Sequence, residues 1–421
     1  MIETISLLPG VTLRCFPDSR FKQSFLSIQF LRPLTRQEAA MNALIPDVLL
    51  RGTVSAPDLR DITLRLDDLY GASVGSLVRK VGDYQTTGLC CSFISDRYTL
   101  EKDGIFADMA AFLRQLLLEP VLEKGIFRAD FVDSEKKNLI ATIQSQLNNK
   151  RLYAGTRLLK EMCGNDPFGV PRLGNAEDAE AIDAASLYRH YLTLLRESPV
   201  ELFYVGEHPA QKVADLLRPI FAGLNRSYVN LPAQTAFRGS DPGDHVETME
   251  VAQGKLAMGF VTDITIRDPE FYAMQVCNTV LGAGMTSKLF MQIREKLSLC
   301  YDISSSYHGS KGILAVAAGI DFQKDALVRE KVLEQVDACC RGDITDEELS
   351  AAKEALLSSL RGIHDSPGAI ESYYATGVLS GHNDTPADYA EKVRAVTRED
   401  VAAAAKTLHL HTVYFLKGVQ A

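Results

Sequence analysis

Tryptophan is absent from this 421-residue chain and histidine is scarce, with eight copies. None of the eight (His190, His208, His245, His308, His364, His382, His409 and His411) has a second His or a Cys three or four residues away, so no helical turn offers a pair of metal donors. His409 and His411 would share one face of a strand, but no third donor lies nearby and they read as surface residues. The eight Cys include two adjacent pairs and no C-x-x-C; most lie in apolar runs, which fits buried free thiols in a reducing compartment. No apolar run approaches the roughly 20 residues of a membrane span. The opening MIETISLLPG carries an early Glu and no basic region, unlike a secretory leader. A basic excess is missing too: Lys and Arg number 45 against 54 Asp and Glu, a net charge of -9. Such a chain lacks a broad phosphate-neutralising surface, which argues against nucleic acid or anionic lipid as partners. No Walker loop is present, and no serine-nucleophile elbow is expected. What is present, 46% hydrophobic and 24% charged residues, suits a soluble cytoplasmic protein with two or more cores.

Residues 5–16 predict two short strands around a Pro-Gly turn, and 24–30 (SFLSIQF) predict a third. Helices are expected over 36–50 and 62–70, the second stopped by Gly71. Strands at 72–79 and 85–95 precede helices at 106–117, 129–148, 152–162 and 184–194, then a strand at 201–205. The polar stretch 225–245, with Pro232, Gly239, Pro242 and Gly243, reads as a linker. The second half repeats the order of the first. SIQFLR and MGFVTD each precede a helix, and Tyr70 pairs with Tyr301, Leu89 with Leu314, Leu139 with Leu356, and Phe203 with Phe415. The offset falls steadily, as shorter loops in the second copy would make it. The expectation is an α+β protein of two similar domains, 1–224 and 246–421, joined by the linker. Each would be an antiparallel sheet with helices packed on one face.

The stretch LGAGMTSKLFMQIREKLSLCYDISSSY, Leu281 to Tyr307, carries the densest pattern. Leu281, Met285, Leu289, Ile293 and Leu297 recur every four residues, which predicts one helix face with Thr286 and Ser287 as caps. From Tyr301 the period becomes two, so Tyr301, Ile303, Ser305 and Tyr307 would share a strand face. Gly282 and Gly284 are expected to permit close helix packing. Arg294 and Tyr301 lie seven residues apart across the junction. An Arg fork and a Tyr hydroxyl held together can grip a backbone carbonyl or a carboxylate; equally, the pair can be a surface Arg and a half-buried strand Tyr.

This run resembles the C-terminal-half signature of the pitrilysin/insulinase family of metallopeptidases. That signature reads Leu-Gly-x-Gly-x-(Ser/Thr)-Ser-(Arg/Lys)-Leu-(Phe/Tyr), then Ile-Arg-Glu-Lys and a Tyr seven residues after the Arg. The resemblance covers nearly the whole chain and implies the same two-domain architecture. It also implies that Arg294 and Tyr301 hold a substrate backbone against a zinc site in the other half or another subunit. Active members carry His-x-x-Glu-His on the first helix of the N-terminal half, followed by apolar residues and Lys/Arg-Gly-Thr. Val48-Leu49-Leu50-Arg51-Gly52-Thr53 matches that continuation. It places Ala43, Pro46 and Asp47 where the first His, the Glu and the second His would stand. Pro46 is expected to kink or restart the helix. Phe131-Val-Asp-Ser-Glu135-Lys resembles the segment of the distant ligand, mapping that ligand to Glu135. Asp47 and Glu135 alone make a thin site for a hard cation; a solvated helix face is the other reading of Glu135.

The resemblance thus implies a zinc-less member, similar to the bacterial YmfF-like group and without a cofactor of its own. It would lend Arg294 and Tyr301 to a homologous zinc-bearing subunit that cleaves peptides. The alternative is an inert peptide-binding or structural scaffold of the same fold. Whether the isolated chain forms a homodimer is open at this point.

Overall fold

The computed structural model describes residues 2–100 and 104–419. Strand β1 (Glu3–Leu8) turns into β2 (Val11–Pro17), and β3 (Gln23–Pro33) leads into α1 (Arg36–Leu49) and α2 (Leu59–Asp68). The hairpin β4 (Ser73–Val81) and β5 (Tyr84–Ile94) follows, then α3 (Ile105–Leu118) and the short strands β6 (Leu122–Glu123) and β7 (Ile126–Phe127). Next come α4 (Ala129–Ser145), α5 (Lys150–Cys163), α6 (Ala176–Glu180), α7 (Ala184–Glu197), β8 (Val200–Gly206) and α8 (Ala210–Ala222). Beyond an irregular stretch lie β9 (Gly243–Met249), β10 (Gly254–Val261), α9 (Phe271–Leu281), a π-helix (Leu289–Lys296), β11 (Cys300–His308) and β12 (Ile313–Ile320). The chain finishes with α10 (Asp325–Arg341), α11 (Asp346–Gly362), α12 (Pro367–Ser380), α13 (Pro386–Ala395), α14 (Arg398–Ala405) and β13 (His409–Gly418). Many helices begin at a side-chain cap: Thr35, Asp58, Asp183, Thr345, Thr385 and Thr397 each accept from the amide three residues on.

Apart from the separate β6-β7 pair, the strands form two sheets of matching order. One runs β2-β8-β3-β5-β4, with β1 added beyond β2; the other runs β9-β13-β10-β12-β11. Neighbours are antiparallel except at the same place in each, where β2 pairs β8 and β9 pairs β13 in parallel. The sequence repeat is therefore a repeat of topology, and the fold is α+β with two similar sheets. One pairing shifts. A residue with positive φ turns the chain from helix into the first hairpin strand, and it is Tyr70 (φ 59°) in one half and Ser298 (φ 50°) in the other. Tyr70 thus matches Ser298, and Tyr301 matches Ser73.

Contacts divide the chain into two compact units that are discontinuous in sequence. The first comprises the chain up to Gln144, Val170–Ala233 and His364–Thr376; the second comprises Ser145–Gly169, Gln234–Ile363 and the chain from Gly377 onward. The continuous boundaries at 224 and 246 do not follow these contacts, because each half of the sequence gives a helical segment to the other half's sheet. In the first unit, Leu26, Ile28 and Phe30 of β3 join the main core. Alternation turns Ser27 and Gln29 to the opposite sheet face. There the buried Glu371 of α12 accepts from Ser27 Oγ at 2.7 Å and Gln29 Nε2 at 2.9 Å. In the second unit, Ala257 of β10 and Tyr414 and Leu416 of β13 pack against Ala154 and Leu158 of α5. The stretch expected to be a linker ends inside β9, which starts at Gly243. No described helix is long and apolar enough to cross a membrane.

Candidate functional site

The signature stretch lies in the second unit and departs from a single regular helix. α9 stops at Leu281, so Met285 falls in the following turn and is 76% exposed. Residues 289–296 wind as a π-helix: the Leu297 amide donates to the Gln292 carbonyl, five residues back, at 3.1 Å. The wider turn carries Leu297 off the face of the buried Leu289 and Ile293, leaving it exposed. Ser287 does not cap this helix; its hydroxyl donates to the Gly284 carbonyl at 2.6 Å. Gly282 does permit close packing, since a Cβ there would lie 2.6 Å from Ser305 Oγ, whereas Gly284 faces open space.

A β-bulge decides where Tyr301 points. Cys300 pairs with Ile320 and Asp302 with Gly319, so Tyr301 is the extra residue. It leaves the face of the buried Ile303 and Ser305 and stands 63% exposed. Its hydroxyl donates to Asp321 Oδ1 at 3.2 Å. Lys324 holds the Asp321 carboxyl below its usual range. Arg294 is exposed on the preceding helix, its guanidinium 4.5 Å from the Phe290 ring centroid. Its ion-pair neighbour is Glu295, at 3.8 Å. Arg294 and Tyr301 thus flank one helix–strand junction without a hydrogen bond to each other.

The first unit holds the position of the lost metal motif. α1 runs unbroken to Leu49 through Pro46, so the expected restart does not occur. Proline has no amide hydrogen for the carbonyl four residues back, and the Thr87 hydroxyl of β5 donates to that Asn42 carbonyl instead. Ala43 and Pro46 are buried and apolar. Glu135 is not solvated: its side chain is 12% exposed, and it accepts from Arg51 Nη1 at 3.0 Å and Asn138 Nδ2 at 2.9 Å. The Arg51 guanidinium lies over the Phe131 ring. Burial pushes the Asp47 carboxyl above its usual range; a Ser76 hydrogen bond opposes this and the Glu135 charge adds to it. Two carboxylates, one already held by a guanidinium, with no imidazole beside them, do not fit zinc. Among the described residues no group of three or more His, Cys, Asp and Glu side chains is placed to hold a metal ion.

Asp47 and Ala43 line a cavity of about 430 Å³, with Ser76–Arg79 of β4, Asn138 and Arg172 on its other walls. A Gly-x-Ser-x-Gly spacing does occur, at Gly71-Ala72-Ser73-Val74-Gly75, contrary to the expectation of none. It leads from a helix end into β4 rather than from strand to helix, so it lacks the geometry of a nucleophile elbow. His409 is exposed, whereas His411 is half-buried with its ring edge-on to Phe237.

Comparison with known proteins agrees with this picture. A family model described as the Peptidase M16 inactive domain matches residues 181–356. The chain is 29% identical over 411 residues to the "Probable inactive metalloprotease YmfF" of Bacillus subtilis, spanning 98% of this chain and 96% of that protein. A crystal structure of a conserved protein from Enterococcus faecalis superposes with a TM-score of 0.93 at 26% identity, covering 100% of this chain and 99% of the other. A peptidase M16 inactive domain from Pseudomonas fluorescens shares the fold, with a TM-score of 0.81 at 18% identity and coverage of 100% and 98%. The chain is thus similar over nearly its whole length to an inactive homologue of M16 peptidases, and residues 181–356 match the inactive domain of that family, the pitrilysin/insulinase type that its sequence resembles.

Proposed function

We propose that this chain is the non-catalytic subunit of a two-chain peptidase, in which a homologous subunit supplies zinc and this one holds extended peptide with Arg294 and Tyr301. The observation that carries the reading is the bulge at Tyr301. A strand gives up regular pairing there, which leaves Tyr301 exposed just after the helix that carries the exposed Arg294. β11 is also the edge of its sheet, so its outer backbone groups are open to pairing with an added strand. Recognition through backbone hydrogen bonds suits peptides with little sequence in common. The metal-motif position supports the same division of labour, since Ala43, Pro46 and the Arg51-bound Glu135 offer zinc no donor set.

The test is reconstitution with a zinc-bearing homologue. The mixture should cleave an unstructured peptide that neither chain cleaves alone. A homologue that is equally active without this chain would make the chain an inert scaffold of the same fold.

A further inference from the structure

The cavity beside Asp47 contains a guanidinium without a carboxylate. Arg172, in the loop before α6, donates from Nη1 to the Val78 carbonyl at 2.9 Å and forms no ion pair with any described residue. Its main chain is held in place: the Arg172 carbonyl accepts from the buried Gln85 Nε2 at 2.7 Å, and Gln85 Nε2 also reaches the Ala39 carbonyl at 3.0 Å. Arg172 is exposed at the mouth of the cavity, yet the atoms around the guanidinium disfavour its charge. The other arginine at this cavity is satisfied, since Arg79 gives Nη1 and Nη2 to Glu371 at 2.9 and 2.7 Å. Asn138 spends one amide hydrogen on Glu135 and keeps its second.

We propose that this cavity binds a monoanionic carboxylate, with the Arg172 fork as its main ligand and the Asn138 amide as a second donor. A planar fork with free N–H groups on a polar wall matches a carboxylate in geometry and charge. Asp47 on the same cavity sets the limit, because each further negative charge on the ligand adds repulsion. A phosphate dianion is therefore disfavoured. The carboxylate of a small acid, a peptide C-terminus or an acidic side chain all share this chemistry. The inference goes beyond the proposed function: the cavity lies in the first unit and uses neither Arg294 nor Tyr301.

The test is fluorescence anisotropy on the full chain with labelled oligo-alanine peptides, one ending in a free carboxylate, one in an amide, and one amidated with an internal Glu. The expected result is binding of the free acid over the amide, weakened at least about tenfold by Arg172→Ala, as loss of a charge-assisted pair requires. Binding of the internal-Glu peptide alone upholds the site and assigns a side-chain source. Acetate binding to the wild type but not to Arg172→Ala, without peptide preference, upholds it for a small acid. Equal binding of acid and amide, no effect of Arg172→Ala, or phosphate competing better than acetate would overturn it. An unchanged urea midpoint in Arg172→Ala keeps a folding defect from imitating the expected loss.

Discussion

Thr87→Val exchanges a buried hydroxyl for a methyl of similar size, and its cost depends on a proline in another element. Pro46 offers no amide hydrogen to the Asn42 carbonyl, and the Thr87 hydroxyl supplies the missing donor. Asn42 and Thr87 are both at most 1% exposed, so water has no ready access to the vacated carbonyl. Leaving a buried acceptor without its donor costs about 1–3 kcal/mol. In a Pro46→Ala background the new amide can donate to the same carbonyl, as in any helix. Thr87→Val should then cost only about 0.5–1 kcal/mol. The double-mutant cycle predicts a coupling of about 1–2 kcal/mol. The chain has no Trp, so urea unfolding is best followed by far-UV circular dichroism. Single effects that add to within about 0.5 kcal/mol would refute the account of how α1 tolerates its proline.

Glu371 is fully buried and accepts from Ser27, Gln29 and both Nη atoms of Arg79. Glu371→Gln leaves the guanidinium uncompensated and should lower stability by about 3–5 kcal/mol in urea melts; a loss under about 1 kcal/mol contradicts the buried pair. Burial holds the His190 imidazole below its usual pKa, with Nε2 2.7 Å from Asn42 Oδ1. As pH falls through the ordinary histidine value near 6.5, the unfolded chain takes a proton that the folded one refuses, so stability drops. His190→Gln should flatten part of the decline in urea midpoint between about pH 7.5 and 5.5. His208 and His382, shifted in the same direction, keep the rest. An unchanged slope sinks the assignment. Gly282→Ala drives a Cβ into Ser305 and should cost about 1–3 kcal/mol. Gly284→Ala meets nothing and should stay within about 0.5 kcal/mol, so equal effects in thermal melts count against the packing argument.

Much of this fold is legible from alternation and repetition. β3 and β10, β5 and β12, and β8 and β13 sit where the paired segments of the two halves place them. The exchange of helical segments is not legible. The apolar face of α5 and the largely apolar surface of α12 demand burial, but neither names the sheet that provides it. At the candidate site, Arg294 and Tyr301 are singled out by the resemblance of their segment to a family signature, while the bulge that turns Tyr301 outward is not legible. One inserted residue leaves the alternation from Ile303 onward intact and changes only what lies before it. Glu135 on a charged helix gives no hint of Arg51, which comes from the segment after α1. Pro46 signals a broken helix because its rescuer, Thr87, sits on another strand. These misses are contacts between separate elements, where the pattern within one element carries no information.

The most direct test of the central claim is kcat/KM of the reconstituted two-chain peptidase carrying Arg294→Ala or Tyr301→Phe in this chain, with assembly checked by size-exclusion chromatography. Arg294→Ala should lower kcat/KM about 10–100-fold, the value of a charge-assisted hydrogen bond to substrate, and Tyr301→Phe somewhat less, both with assembly intact. Full activity in both assembled variants would contradict the claim that this chain holds the peptide.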